Sequence, residues 1–136
     1  MEQLKSVVSV SRILSSDLNG IVFKRSGIVR VPETINSEVV NIQVPARLTI
    51  INKVEGKATL WETTLLFHTC QDLSECDKHY CYIVTLANGK RMLIGNSKRP
   101  YPKTSTNDNL SENVKDSQLQ EVTVTWKHWL KPPIIL

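Results

Sequence analysis

The chain has 136 residues, 40% apolar and 22% charged, with 17 basic against 13 acidic side chains for a net charge of +4. This length suits one domain that buries its own core, and the composition excludes a disordered chain or a coiled coil. No run approaches the ~20 apolar residues of a membrane span, and no signal-peptide core is expected where Glu2, Lys5, Ser6, Ser9 and Arg12 interrupt the first apolar residues.

In chain order, residues 4–18 fit two patterns. Leu4, Val7, Val8, Leu14 and Leu18 fall on a helical face, while Val8 and Val10 alternate with Ser9 and Ser11 as in a strand. The β-branched content of residues 7–10 favours a short strand running into a turn at residues 15–20. Ile21-Val22-Phe23 and Ile28-Val29-Arg30-Val31 are short strand runs, the second stopped by Pro32. Residues 39–44 alternate with Val40, Ile42 and Val44 on one face, and Pro45 is expected to end that strand because it has no N–H to give a neighbour.

Residues 47–68 read as a long hairpin. A two-residue loop at Glu55-Gly56 would set Ile51 opposite Leu60 and Ile50 opposite Trp61. A second hairpin turns at Asn88-Gly89. A type I′ turn there would set Val84 opposite Leu93 and Ile83 opposite Ile94, with apolar residues on both faces, so that pair is predicted to be central in its sheet or covered on both sides. Pro100 and Pro102 prevent the ladder from extending far. Residues 103–118 are rich in Thr, Ser, Asn and Asp and read as a long mobile polar loop, followed by an alternating strand over residues 121–126.

The chain is therefore predicted to be all-β, a small antiparallel barrel or sandwich of six to seven strands. Residues 1–131 form its single domain, and residues 132–136 an extended apolar C-terminal arm.

His68, Cys70, Cys76, His79 and Cys81 supply zinc-type ligands within fourteen residues. Their spacing lacks a Cys-x-x-Cys knuckle, which favours ordinary strand-end and loop residues over a metal centre or a disulfide. No cofactor is expected. Three cysteines, an odd number, fit a reducing compartment. No Gly-x-Ser-x-Gly, His-Glu-x-x-His or phosphate-cradling glycine loop is present, and the carboxylates are scattered, so no enzyme and no small-molecule substrate are expected.

Lys90, Arg91, Lys98, Arg99 and Lys103 surround Tyr101, a pattern compatible with a nucleic-acid-binding β-barrel or with a solvated hairpin edge. At the C-terminus, Trp126, Trp129 and Leu130 precede Pro132-Pro133-Ile134-Ile135-Leu136. Burying the last three aliphatics would contribute on the order of 1.5–3 kcal/mol each. Either this arm closes the protein's own core, or it docks on a neighbouring subunit. In the second case Trp126, Trp129, Ile134, Ile135 and Leu136 are the contact residues.

The stretch Tyr82-Ile83-Val84-Thr85-Leu86-Ala87-Asn88-Gly89-Lys90-Arg91-Met92-Leu93-Ile94-Gly95, followed by Arg99-Pro100-Tyr101-Pro102, is similar to small proteins of the structural gene modules of tailed phages and prophages of gut bacteria. Val8-Ser9-Val10-Ser11-Arg12-Ile13-Leu14 and the long hairpin resemble the same group. The resemblance covers about half of the chain. It implies a virion part of the tail or neck, assembled in the host cytoplasm with copies of itself and other structural proteins, and it brings no catalytic residues. Such a subunit would form a ring or tube through β edges and the apolar arm.

Overall fold

The computed structural model describes residues 2–19, 27–31, 37–69, 79–98, 100–108 and 120–135. The expected all-β class is what it shows. Among the described residues ten strands form one mixed sheet, joined by a single short 3-10 helix at Ser15–Leu18. The strands are β1 Glu2–Leu14, β2 Ile28–Val29, β3 Glu38–Val40, β4 Ile42–Glu55, β5 Ala58–Thr69, β6 Tyr80–Leu86, β7 Arg91–Ile94, β8 Lys103–Asp108, β9 Gln120–His128 and β10 Ile134–Ile135. Their order is β2-β10-β7-β6-β1-β4-β5-β9-β8, with β3 paired beside β1. All pairs are antiparallel except β10 with β2. Among the described residues the ladder is open at both ends and does not close into a barrel, and it has more strands than the six or seven expected.

Alternation decides which face is buried. Val122, Val124, Trp126 and His128 point inward from β9; Thr63, Leu65 and Phe67 do so from β5, and Ala46, Leu48 and Ile50 from β4. They meet Val7, Val10, Val40, Tyr82, Val84, Leu86, Met92 and Ile94 in one core. This core draws on strands far apart in the ladder, so the sheet is rolled around it. Two contacts fix the roll. Tyr82 Oη of β6 lies 2.6 Å from Thr104 Oγ1 of β8, and Trp126 Nε1–H donates to the Pro100 carbonyl at 3.0 Å.

The outer face of β6–β7 carries Cys81, Ile83 and Leu93, covered by Ile13, Leu18, Val29, Val31 and Ile135. The second hairpin is thus buried on both faces, as its composition predicts. Its register is one residue away from the expected one: Val84 pairs with Met92 and Ile83 with Leu93. Asn88 keeps a negative φ, so the type I′ turn does not form; Gly89 alone takes a positive φ of 87°. The Gly89 N–H donates to the Leu86 carbonyl at 2.9 Å and the Leu86 N–H to the Lys90 carbonyl at 2.8 Å. These bonds define a three-residue loop ending in a left-handed glycine, the usual alternative to the two-residue turn.

The first hairpin also shifts. Glu55 pairs with Ala58, setting Ile50 opposite Thr63 and Ile51 opposite Glu62. The shift is two residues, which leaves every side chain on its expected face. Pro45 does not end its strand: β4 continues through it, and the register with β5 jumps between Gln43 and Arg47. A proline is tolerated in a strand at such an irregularity, where no ladder bond is asked of it.

Two further differences concern the C-terminal half. Residues 103–108 are not a mobile loop but β8, whose polar side chains ride on a ladder with the alternating strand β9. The remainder of that loop, and the strand run at residues 21–23, lie outside the described residues. The arm packs on its own domain. Ile134 and Ile135 pair with Met92 and Arg91 of β7 and with Ile28 and Val29 of β2. The Leu93 N–H reaches the Pro133 carbonyl at 3.0 Å, and the Ile134 N–H reaches the Gly27 carbonyl at 2.8 Å. Of the two alternatives for the arm, closure of the chain's own core is the one realised; Leu136 lies outside the described residues.

Gly95 ends β7 with φ 116°, and a Cβ there would meet Cys81 Sγ at 2.5 Å and Pro102 Cγ at 2.8 Å. The substitution Gly95→Ala adds backbone strain to overpacking and should cost about 2–4 kcal/mol in urea denaturation. Ile135 is 6% exposed. Ile135→Ala should lower unfolding free energy by about 2–4 kcal/mol, a loss of stability that an arm reserved for a neighbour would not show in the monomer.

Candidate functional site

Of the five zinc-type side chains grouped in the sequence, His68, His79 and Cys81 are described, and each has its own surroundings. His68, on β5, lies beside Glu121 of β9, with His68 Nε2 3.7 Å from Glu121 Oε2. His79 stacks on Tyr101, ring centroids 4.1 Å apart. Cys81 is fully buried beneath the 3-10 helix. Cys70 and Cys76 lie outside the described residues. Among the described residues no three His, Cys, Asp or Glu side chains converge as metal ligands.

The surroundings of Cys81 are those of a structural thiol. Its Sγ lies 3.5 Å from the Asn96 carbonyl and 3.7 Å from Ser15 Oγ, and Ser15 Oγ–H itself donates to Asn96 O. Burial pushes the Cys81 thiol up to about 11, only partly offset by the Ser15 contact. A nucleophilic cysteine needs the opposite environment.

The predicted basic cluster divides along β7. Lys90 and Arg91 are exposed where the strand begins, whereas Lys98, Tyr101 and Lys103 follow its other end. Arg99 lies outside the described residues. Tyr101 is engaged with His79 and is half-buried, so one face of its ring is already covered.

Of the predicted contact residues, Trp126 is buried with its indole N–H bonded to Pro100, Ile135 is buried, and Ile134 is half-buried. Among the described contact residues Trp129 alone remains outside, 62% exposed. It is nevertheless held. His128 stacks between Trp126 (4.8 Å) and Trp129 (4.2 Å), and its Nδ1 accepts the Leu130 N–H at 3.0 Å. Burial pulls the His128 imidazole below its usual range, and the bond to Leu130 keeps the proton on Nε2. A rigid neutral imidazole therefore presents Trp129 to solvent. In the sequence the signal for His128 is its place in the alternation of β9, two residues beyond Trp126.

Two surface features complete the picture. On the outer face of the sheet, Leu4 and Val8 of β1 and Val39 of β3 are exposed. At one end of the order, β8 pairs with β9 alone among the described residues, leaving one row of backbone groups open. Arg12, buried on β1, anchors β3 by an ion pair to Glu38 (2.9 Å) while lying 4.3 Å over the Tyr80 ring.

Searches against protein-family models, curated proteins and solved structures find no match. No helix among the described residues is long and apolar enough to cross a membrane.

Cys81 should stay unmodified by iodoacetamide in the folded protein at pH 8 and react once urea unfolds it, read by peptide mass spectrometry. The unfolded thiol ionises near its ordinary 9.0, whereas the folded one waits until about 11. Its contribution to stability is therefore full below pH 9 and is lost as pH rises from 9 to 11, by about 2–3 kcal/mol.

Proposed function

We propose that this chain is a non-catalytic structural subunit that assembles with copies of itself and with other virion proteins, in the tail or neck of a tailed phage. The observation that carries the reading is the outer edge of β8, which pairs with no other strand among the described residues of a sheet that rolls without closing. Exposed strand edges are templates for pairing with another chain. The two ends of this sheet differ, β8 at one and β2 at the other, so a contact between unlike ends is head-to-tail. Such contacts generate rings when the rotation closes and filaments when it does not.

Other features support the same reading. Trp129 is a large aromatic, exposed yet stacked on His128, a profile that suits an interface anchor. Leu4, Val8 and Val39 add apolar surface on the outer face. The likeness of residues 82–95 to phage structural-module proteins supplies the setting, a virion assembled in the host cytoplasm. Of the arm, Pro132, Pro133 and Ile135 are buried in the chain's own fold, and among the described residues Ile134 is the one that keeps a half-exposed side for such an assembly. A nucleic-acid-binding module receives less support, because its lysines and arginines are split between the two ends of β7.

Successive N–H groups of a strand point to opposite edges. One of the two variants Ser105→Pro and Thr106→Pro therefore removes an outward donor, and the other a donor of the β8–β9 ladder. The wild-type chain is expected to form oligomers by light scattering. The outward variant should reduce them to monomer with its melting temperature unchanged, whereas the ladder variant should lower that temperature. A wild-type chain that stays monomeric at high concentration, alone and with co-encoded virion proteins, would overturn the reading.

A further inference from the structure

The rolled sheet has a mouth. At one end of the core lies a cavity of about 420 Å³ lined by Lys5, Leu86, Asn88, Lys90, Met92, Lys131, Pro132 and Ile134, with Gly27 at its edge. Its floor is core: Leu86 and Met92 are buried members of the central cluster, and Ile134 packs against it. Its walls are well tied. The Ala87 N–H bonds the Ser6 carbonyl at 3.0 Å, joining the β6–β7 turn to β1, while Pro133 and Ile134 are bonded to Leu93 and Gly27.

The charge at this mouth has one sign. Lys5 sits opposite Leu48, which is fully buried, so its side chain leaves the inner face of β1 and emerges at the opening. Lys90 follows the turn from the other side. Lys131 comes from the segment after β9, with Nζ 5.7 Å from the Trp61 ring centroid. Among the described residues no carboxylate lines the cavity and none of the three lysines is in an ion pair. Asn88 Oδ1 accepts the Lys90 N–H at 3.0 Å, which leaves the Asn88 amide hydrogens as donors.

An apolar floor with a few convergent polar groups is the usual construction of a small-ligand site, and this volume falls within the ~300–1,000 Å³ such sites occupy. Three ammonium groups and an amide donor around it select negative charge. We infer that this mouth binds an amphiphilic anion, a carboxylate or phosphate head on a short apolar body, with the head among Lys5, Lys90 and Lys131 and the body against Leu86, Met92 and Ile134. The inference does not depend on assembly through β8, because no residue of β8 lines the cavity.

The test is a titration of the full chain with octanoate, followed by amide resonances in a two-dimensional NMR spectrum, with 1-octanol and inorganic phosphate as the comparison probes. Octanoate is expected to shift the amides of Asn88, Lys90, Met92 and Ile134 saturably. Each comparison probe should bind at least about tenfold more weakly, since each supplies half of the recognition. The triple variant Lys5→Gln, Lys90→Gln, Lys131→Gln should weaken octanoate about tenfold or more, leaving resonances distant from the mouth unmoved. Should that variant fail to fold, raising salt to ~0.5 M on the wild-type chain reads the same charge dependence. Equal binding of octanol and octanoate, no loss from the variant or from salt, or shifts that map elsewhere would each overturn the inference.

Discussion

Everything in this fold follows from the need to hide one face of a long sheet that has no second layer to lie on. Inward residues of β4, β5, β6, β7 and β9 form a single cluster, and no helix covers it among the described residues. A sheet in that position removes its apolar face from water only by rolling onto itself. The direction of the roll is given by strand twist, but its extent is set by specific contacts. Tyr82 to Thr104 and Trp126 to Pro100 tie β6 to β8 and β9 to the segment before β8. Both use polar groups on otherwise buried rings, so bringing the sheet halves together also satisfies a phenol and an indole that burial alone would leave unpaired. Burial correspondingly pushes the Tyr82 phenol up, keeping it as a protonated partner for Thr104.

The cover on the outer face of β6–β7 has a related cause. Cys81, Ile83 and Leu93 alternate with Tyr82, Val84, Met92 and Ile94, so this hairpin is apolar on both sides and cannot sit at a wet surface. The chain meets that demand with pieces from distant parts of the sequence, namely Leu18 after β1, Val29 in β2 and Ile135 in β10. Gly95 lets the chain turn away immediately above Cys81, where any side chain would collide with the sulfur. The buried thiol, the positive φ and the C-terminal strand are thus parts of one packing solution rather than separate features.

What the sequence disclosed was local. Alternation located β9 and both hairpins, and the two-sided apolar character of residues 81–94 announced their coverage. What it hid was pairing geometry. Asn88-Gly89 is compatible with two loop lengths, and the choice rests on whether Asn88 adopts a positive φ, which neighbouring strands decide. Pro45 looked terminal because a proline removes one donor, yet a strand with a register jump has a place where that donor is not used. Residues 103–108 looked like loop because strand β8 carries no large apolar side chain; its partner β9 provides the ladder, and only Tyr82 across the roll engages Thr104. The site was harder still. Lys5, Lys90 and Lys131 are separated by 85 and 41 positions and appear unrelated until the side-by-side pairing of β1, β6, β7 and β10 brings them to one opening.

The roll also distributes surface by role. Because it stops short of closure, it leaves an edge at β8, and because its strands differ in length, it leaves a mouth where the core is not capped by side chains. The edge is polar, carrying Lys103, Thr104 and Ser105 in solvent, so the contact it can make is mainly through backbone, with side chains adding little selectivity. At the mouth the division is reversed: the backbone is already bonded, and recognition falls to three flexible ammonium groups over an apolar floor. A full barrel would have neither feature, since closure would consume the edge and symmetrical strand ends would narrow the opening. Incomplete closure, enforced by two ring-to-backbone and ring-to-hydroxyl contacts in place of a continuous ladder, is therefore the property from which both surfaces arise.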